Sequence, residues 1–106
     1  MPAKAKRKSR SPWMTYRLKF KDEALKEWHR LDSTLREQFK KKLTERLQDP
    51  RVPAAKLAGH VDRYKIKLKS SGYRLVYEVR DVEVVVVVVA IGKRERNAVY
   101  AAAAKR

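Results

Sequence analysis

The sequence predicts a small α+β domain: an antiparallel sheet with an N-terminal strand, a two-helix pair packed on one face, a three-strand meander and a short C-terminal helix. Three observations predict it. On both sides of residues 22 to 50, apolar residues alternate with charged ones, the period of a half-buried strand. Inside that segment the apolar residues recur every three or four positions, the period of an amphipathic helix. Short stretches rich in Ser, Gly, Asp and Pro separate the runs.

The first strand is WMTYRLKFK, residues 13 to 21, where Tyr16, Leu18 and Phe20 alternate with Arg17, Lys19 and Lys21. Asp22 suits a helix N-cap, and Ala24, Leu25, Trp28 and Leu31 follow at helical spacing. Asp32, Ser33 and Thr34 break this helix and cap the next, along which Leu35, Phe39, Leu43 and Leu47 repeat. Pro50 and Pro53 cannot continue it. The two helices are expected as an antiparallel pair lying on the sheet, with the helices on one face. Lys40, Lys41 and Lys42 lie between the apolar positions, either as a solvated helix face or as contacts to a polyanion.

The second half reads as strands. Tyr64, Ile66 and Leu68 alternate with Lys65, Lys67 and Lys69; Tyr73, Leu75, Tyr77 and Val79 alternate with Arg74, Val76, Glu78 and Arg80. A two-residue turn at Ser71-Gly72 would place Leu68 opposite Leu75, Ile66 opposite Tyr77, Lys69 opposite Arg74 and Lys65 opposite Glu78, so that register and apolar pattern agree. Asp81, Val82 and Glu83 then turn the chain into VVVVVVAI, a buried strand far too short to span a bilayer. Gly92 is expected to end that strand, and the alanine-rich end of KRERNAVYAAAAKR favours a helix. The first strand must join the same sheet, beside the valine strand.

A chain of 106 residues suggests one domain with a single modest core. The absence of cysteine excludes disulfides, thiolate metal sites and thiol nucleophiles, and it fits a reducing, cytoplasmic setting. No apolar stretch follows the basic N-terminus, so neither a signal peptide nor a membrane partner is expected. Charge is the strongest compositional signal: 28 Lys and Arg against 12 Asp and Glu, a formal +16, which suits a polyanionic partner. Residues 1 to 12 hold five basic groups (Lys4, Lys6, Arg7, Lys8 and Arg10) and no acid, and read as a disordered arm adding non-specific phosphate contacts. Residues 13 to 106, the folded domain, keep the remaining 16 − 5 = +11.

The row Lys65, Lys67, Lys69 and Arg74 has two readings. It is the wet face of a half-buried sheet, or it is a phosphate site whose self-repulsion is offset by use. The usual small-ribonuclease parts are missing: His29 on the first helix and His60 in a loop show no sign of meeting, no acidic cluster has metal-ligand spacing, and no glycine-rich phosphate loop exists. Lysine, arginine and tyrosine can nevertheless suffice for RNA. Its 2′-OH is a nucleophile already beside the phosphate. Arginines stabilise the charge gathering on phosphorus, and a lysine becomes a usable base once neighbouring cations lower its pKa.

EALKEWHRL, REQFKKKL, YKIKLKSSGYRLVYEV and GKRERNAVY closely resemble the RelE family of bacterial toxins, in order and with matching spacing from Tyr16 to Arg106. The resemblance implies a toxin of a type II toxin–antitoxin system. Such toxins cut messenger RNA in the A site of the 70S ribosome, beside 16S rRNA, leaving a 2′,3′-cyclic phosphate and a 5′-OH, and a RelB-like antitoxin inhibits them. It further implies that no cofactor or metal is needed. Lys65 and Lys67 match the family's catalytic strand lysines, with Lys67 as general base. Arg74 matches the arginine that holds the scissile phosphate. Arg94 matches the one assigned to transition-state stabilisation or leaving-group protonation, and Tyr100 the tyrosine that stacks on the nucleotide. Lys69, Lys93, Arg96, Lys40 and Lys41 are the further RNA contacts expected. Ala58 departs from the family, standing where an arginine is usual. Two other readings remain at this point: a ParE-like toxin of the same fold directed at gyrase, and a non-catalytic RNA-binding protein.

Overall fold

The computed structural model describes residues 15–95 and 97–106. The basic arm expected at residues 1 to 12, the start of the first strand, and Arg96 lie outside the described residues.

Valine's branched side chain favours extended backbone, and a run of valines can be buried only where both faces of a strand are covered. Strand β4, Val85–Lys93, is such a strand, with every residue from 85 to 91 buried. It lies between β1 (Arg17–Phe20) and β3 (Tyr73–Arg80), and β2 (Arg63–Leu68) completes the order β1-β4-β3-β2. The meander β2–β3–β4 is antiparallel, as expected. β1 does sit beside the valine strand but runs parallel to it, Arg17 opposite Val85 and Phe20 opposite Val88, so the sheet is mixed. The cause is connectivity: β1 reaches β2 through a helical crossover, the connection that parallel strands require, and β2 and β4 share a direction.

Helices α1 (Asp22–Arg30) and α2 (Ser33–Gln48) form that crossover. Ala24, Leu31, Phe39 and Leu43 enter one core with Tyr64, Ile66, Leu68, Leu75, Tyr77, Val79, Val86, Val88 and Ile91. Asp22 is the first helical residue rather than the cap; Lys21 holds the cap position. Its amide still bonds to the Val88 carbonyl at 2.9 Å, which carries the pairing with β4 one residue past the end of β1, to the residue where the strand was expected to stop. Asp22 then acts through its charge at the positive end of the helix. Asp32 caps α2, accepting from the Leu35 amide at 2.9 Å. Near the end of α2, Arg46 donates to the Tyr77 hydroxyl (2.9 Å) and to the Lys65 carbonyl (3.2 Å), and Tyr77 donates to the Pro50 carbonyl at 2.7 Å. This chain ties helix, loop and two strands together.

The third helix, α3 (Ala98–Ala104), lies on the opposite face of the sheet, where Val99 and Ala103 pack with Val76, Val89 and Ala90. The expected two-helix pair on one face is α1 and α2, and the short C-terminal helix takes the other face. A register shift between Val76 and Tyr77 explains the fit: Val76 faces Ala90 and Tyr77 faces Val88, so Val89 is the extra residue of a bulge and turns toward α3 beside Ala90. Gly92 does not end β4, which continues through it to Lys93 because Arg74 and Tyr73 still offer partners.

Beyond Val88, β1 no longer covers the edge of β4, and side chains take over. Glu27 on α1 accepts from the Ile91 amide at 3.0 Å, and Arg106 donates to the Val89 carbonyl at 3.0 Å. The two also pair with each other at 2.9 and 3.1 Å, which holds the Arg106 guanidinium above its ordinary pKa. At the far end of the sheet, Arg51 bridges Asp62 (3.0 Å) and Asp81 (2.8 Å), and the Tyr16 hydroxyl also bonds to Asp81.

Candidate active site

The site grows from the β2–β3 hairpin. The connection is a four-residue loop, residues 69 to 72, not the two-residue turn. A tight type I′ turn needs left-handed backbone at both central residues, and of Ser71 and Gly72 only Gly72 has it, at φ +77°. The Gly72 amide closes the loop on the Leu68 carbonyl at 2.9 Å, and the Ser71 hydroxyl donates to the same carbonyl while accepting from the Tyr73 amide. The register consequently moves by two residues: Lys67 faces Arg74, Lys65 faces Val76, and Glu78 faces Arg63. A shift of two keeps every side chain on its expected face. It changes the charge pattern, however. Glu78, expected opposite Lys65, instead pairs with Arg63 at 3.3 Å and Arg80 at 3.1 Å. Among the described residues, no carboxylate forms an ion pair with Lys65, Lys67, Lys69, Arg74 or Arg94.

That imbalance falls on Lys67. Its amine is exposed, and its pKa is pulled below the ordinary lysine value, first by the Lys65 ammonium, then by partial desolvation, Arg74, Arg94 and Lys69. Arg94 follows β4 and is drawn to the hairpin by its own amide, which donates to the Gly72 carbonyl at 2.9 Å. Arg74 donates to the Tyr73 carbonyl at 3.2 Å, while its Nε is buried with no hydrogen-bond partner among the described residues. A buried donor of this kind costs stability until an acceptor arrives. Chemically, the cluster can bind an anion and places beside it an amine that gives up its proton more readily than an ordinary lysine.

Four expected site residues thus share one electrostatic environment around Lys67: Lys65, Arg74, Arg94 and Lys69. Tyr100, on α3, packs against the cluster containing Val76, the residue opposite Lys65. Lys93 is at the end of β4, its ammonium 5.9 Å from the centre of the Tyr73 ring. Lys40 and Lys41 are exposed on α2, a helix that packs on the other face of the sheet, and Lys40 meets Glu37 at 3.5 Å. His29 is on α1 and His60 in the loop before β2. Among the described residues, no group of three or more His, Asp or Glu side chains gathers as a metal site. Arg63 was missed, although the alternation that singles out Lys65 and Lys67 includes it: its Nη1 donates to the Ala103 carbonyl of α3 at 2.7 Å.

Residues 18–98 match the ParE toxin family of type II toxin–antitoxin systems, parDE. The chain belongs to this family of toxins. The mRNA interferase toxin RelE of Escherichia coli K12 is 61% identical over 93 residues, covering 88% of this chain and 98% of that protein. Among solved structures, an arginine-to-alanine double mutant of E. coli RelE in the free state superposes with a TM-score of 0.81 at 59% identity, over 87% of this chain and 97% of that one. The intact E. coli RelBE toxin–antitoxin complex gives 0.74 at 62% identity, over 76% and 99%. Within its family the chain therefore groups with the RelE toxins.

Proposed function

We propose that the protein is a ribosome-dependent mRNA interferase that cuts message in the A site without a metal, and that a RelB-like antitoxin holds it in check. One observation carries this reading: an exposed lysine amine with a lowered pKa, ringed by Lys65, Arg74, Arg94 and Lys69 with no carboxylate among them. Lys67 takes the proton from the 2′-OH as its oxygen attacks phosphorus. Lys65, Arg74 and Arg94 stabilise the added negative charge. The P–O5′ bond breaks, a proton passes to the 5′ oxygen from Arg94 or its bound solvent, and a 2′,3′-cyclic phosphate remains. Tyr100 stacks on the nucleotide. The 70S ribosome, through 16S rRNA, holds the message against this face, with Lys69, Lys93, Arg96, Lys40 and Lys41 as further RNA contacts. The setting is cytoplasmic. Support for the antitoxin comes from the solved RelBE complex and from the charge, which an acidic segment folding over this face would neutralise.

The family match to ParE keeps a gyrase-directed toxin as a second reading. Primer extension on a translated message in a reconstituted system separates the two. A-site cuts bearing 2′,3′-cyclic phosphate ends are expected. Intact message together with inhibited gyrase supercoiling would replace the nuclease with the second reading, and intact message with ribosome binding alone would leave an RNA-binding protein.

A further inference from the structure

Helix α3 has few means of holding its own position. It is seven residues long, well below the roughly 12–15 at which a helix becomes marginally stable alone. Asn97 at its N-cap is left-handed, at φ +59°, and its side chain caps nothing. Five of the seven residues are alanine, and only Val99 and Ala103 are fully buried. A smooth alanine face gives little interdigitation to fix rotation or register. Yet Tyr100 is on this helix, one turn from Ala103, and under the function proposed above it has to meet a nucleotide at a set distance from Lys67.

We propose that Arg63 is a positioning residue that locks α3, and with it Tyr100, to the strand bearing Lys65 and Lys67. Its Nη1 donates at 2.7 Å to the Ala103 carbonyl, which also accepts from the Arg106 amide at 3.0 Å, at the C-terminal end of α3 where the helix dipole favours a cation. Its Nε and Nη2 both donate to Glu78 Oε1 at 3.3 Å, and the two side chains are only 15% and 23% exposed, so the guanidinium is fixed before it meets the helix. Arg63 is two residues from Lys65 on the same face of β2. One strand thereby carries both the amines and the clamp, and their spacing does not depend on loops. Arg106 secures the chain beyond α3 to Glu23 and Glu27 of α1, and among the described residues Arg63 supplies the hydrogen bond that links α3 to the strand bearing Lys65 and Lys67.

This inference rests on the nuclease reading, and its test has one arm that does not. Backbone amide exchange is compared for the wild type and for Arg63→Gln, Arg63→Lys and Glu78→Gln. Arg63→Gln should speed exchange across α3 and leave β3 and β4 unchanged, with Glu78→Gln intermediate and Arg63→Lys, which keeps a cationic donor, closest to the wild type. Unchanged α3 exchange in Arg63→Gln would overturn the clamp, whatever the activity. The second arm is single-turnover cleavage of A-site message. Arg63→Gln should lower the rate about tenfold at unchanged ribosome affinity, within the hundredfold that an ångström of misplacement can cost. In a Tyr100→Ala background the same change should lower it less than about twofold, because a clamp acting through Tyr100 has nothing left to position. Equal losses in both backgrounds would overturn the positioning role. A wild type that makes no A-site cuts would defeat the nuclease reading, and α3 exchange would still decide the clamp.

Discussion

Lysine is a poor base at neutral pH because its ordinary pKa near 10.4 leaves almost none of it unprotonated. Lys67 escapes part of that handicap through its neighbours, Lys65 first. The sign of the pH dependence follows. With Lys67 as the proposed base, the cleavage rate should rise with pH below the lowered pKa as the free amine accumulates, and should level above it. Lys65→Met removes the largest depressing charge, so the levelling point should move to higher pH, in addition to any loss of rate. A single-turnover pH profile at fixed salt checks this, and an unmoved inflection would dissociate the base from Lys67. The same shift affects stability: the unfolded chain binds the Lys67 proton more tightly, so this residue's penalty is full below its folded pKa and disappears as pH rises toward 10.4. Arg94→Ala keeps the amide bond to Gly72, so the fold should survive. If Arg94 acts mainly on the transition state, cleavage should fall far more than ribosome binding, whereas Arg74→Ala should weaken both. Equal losses for Arg94→Ala would reassign it to ground-state binding. Alternation alone exposed Lys65, Lys67 and Arg74 as a group. Arg94 and Tyr100 were reached only through the family resemblance, since no periodicity connects residues on separate elements. Arg63 was passed over because its role is a bond to a backbone carbonyl, which leaves no trace in composition.

At the scale of elements, the hairpin shows what alternation can and cannot fix. A buried face determines register only modulo two, because a two-residue slip returns every side chain to its own side. The loop then chooses between the allowed registers, and here Gly72 chooses. A Cβ added at Gly72 would meet no atom within 4 Å, so Gly72→Ala tests backbone strain alone. It should cost about 1–2 kcal/mol, the price of left-handed backbone for an L-residue. Gly72→Asn should cost less, and denaturant midpoints decide between strain and packing. Tyr77 tests the tie between α2 and the sheet. It is fully buried, and burial raises its pKa despite the opposing influence of Arg46. Tyr77→Phe leaves the Pro50 carbonyl and Arg46 short of a partner, an expected loss of about 1–3 kcal/mol by denaturant unfolding. A variant as stable as the wild type would mean that solvent satisfies both groups. The strands, the two long helices and the Asp32 cap were legible because each rests on local periodicity or a single side chain. The parallel pairing of β1, the bulge at Val89 and the face chosen by α3 were not, since each depends on contacts between distant segments.

At the scale of the whole molecule, excess positive charge and an open site point to the same dependence on a large partner. The Lys67 amine lies on an exposed sheet surface, where water and salt weaken the coupling that lowers its pKa. Excluding water strengthens that coupling. Cleavage also requires the 2′ oxygen, phosphorus and the leaving oxygen nearly in line, a geometry that free single-stranded RNA seldom holds. A ribosome can supply both conditions by clamping the message against this face, and the formal +16 lets the protein displace counter-ions from the ribosomal RNA. Free RNA should consequently be cut slowly. With one message, free and bound in an A site, at equal enzyme and fixed salt, the single-turnover rates should differ by at least about three decades, on the order of 4 kcal/mol in barrier. Raising the salt should weaken ribosome binding steeply, because each neutralised phosphate releases counter-ions. It should also narrow the rate gap at saturating ribosome only slightly, because the closed site is shielded from bulk ions. Similar rates on free and bound message would mean that the protein imposes the in-line geometry itself, and an ordinary ribonuclease would replace the ribosome-dependent mechanism.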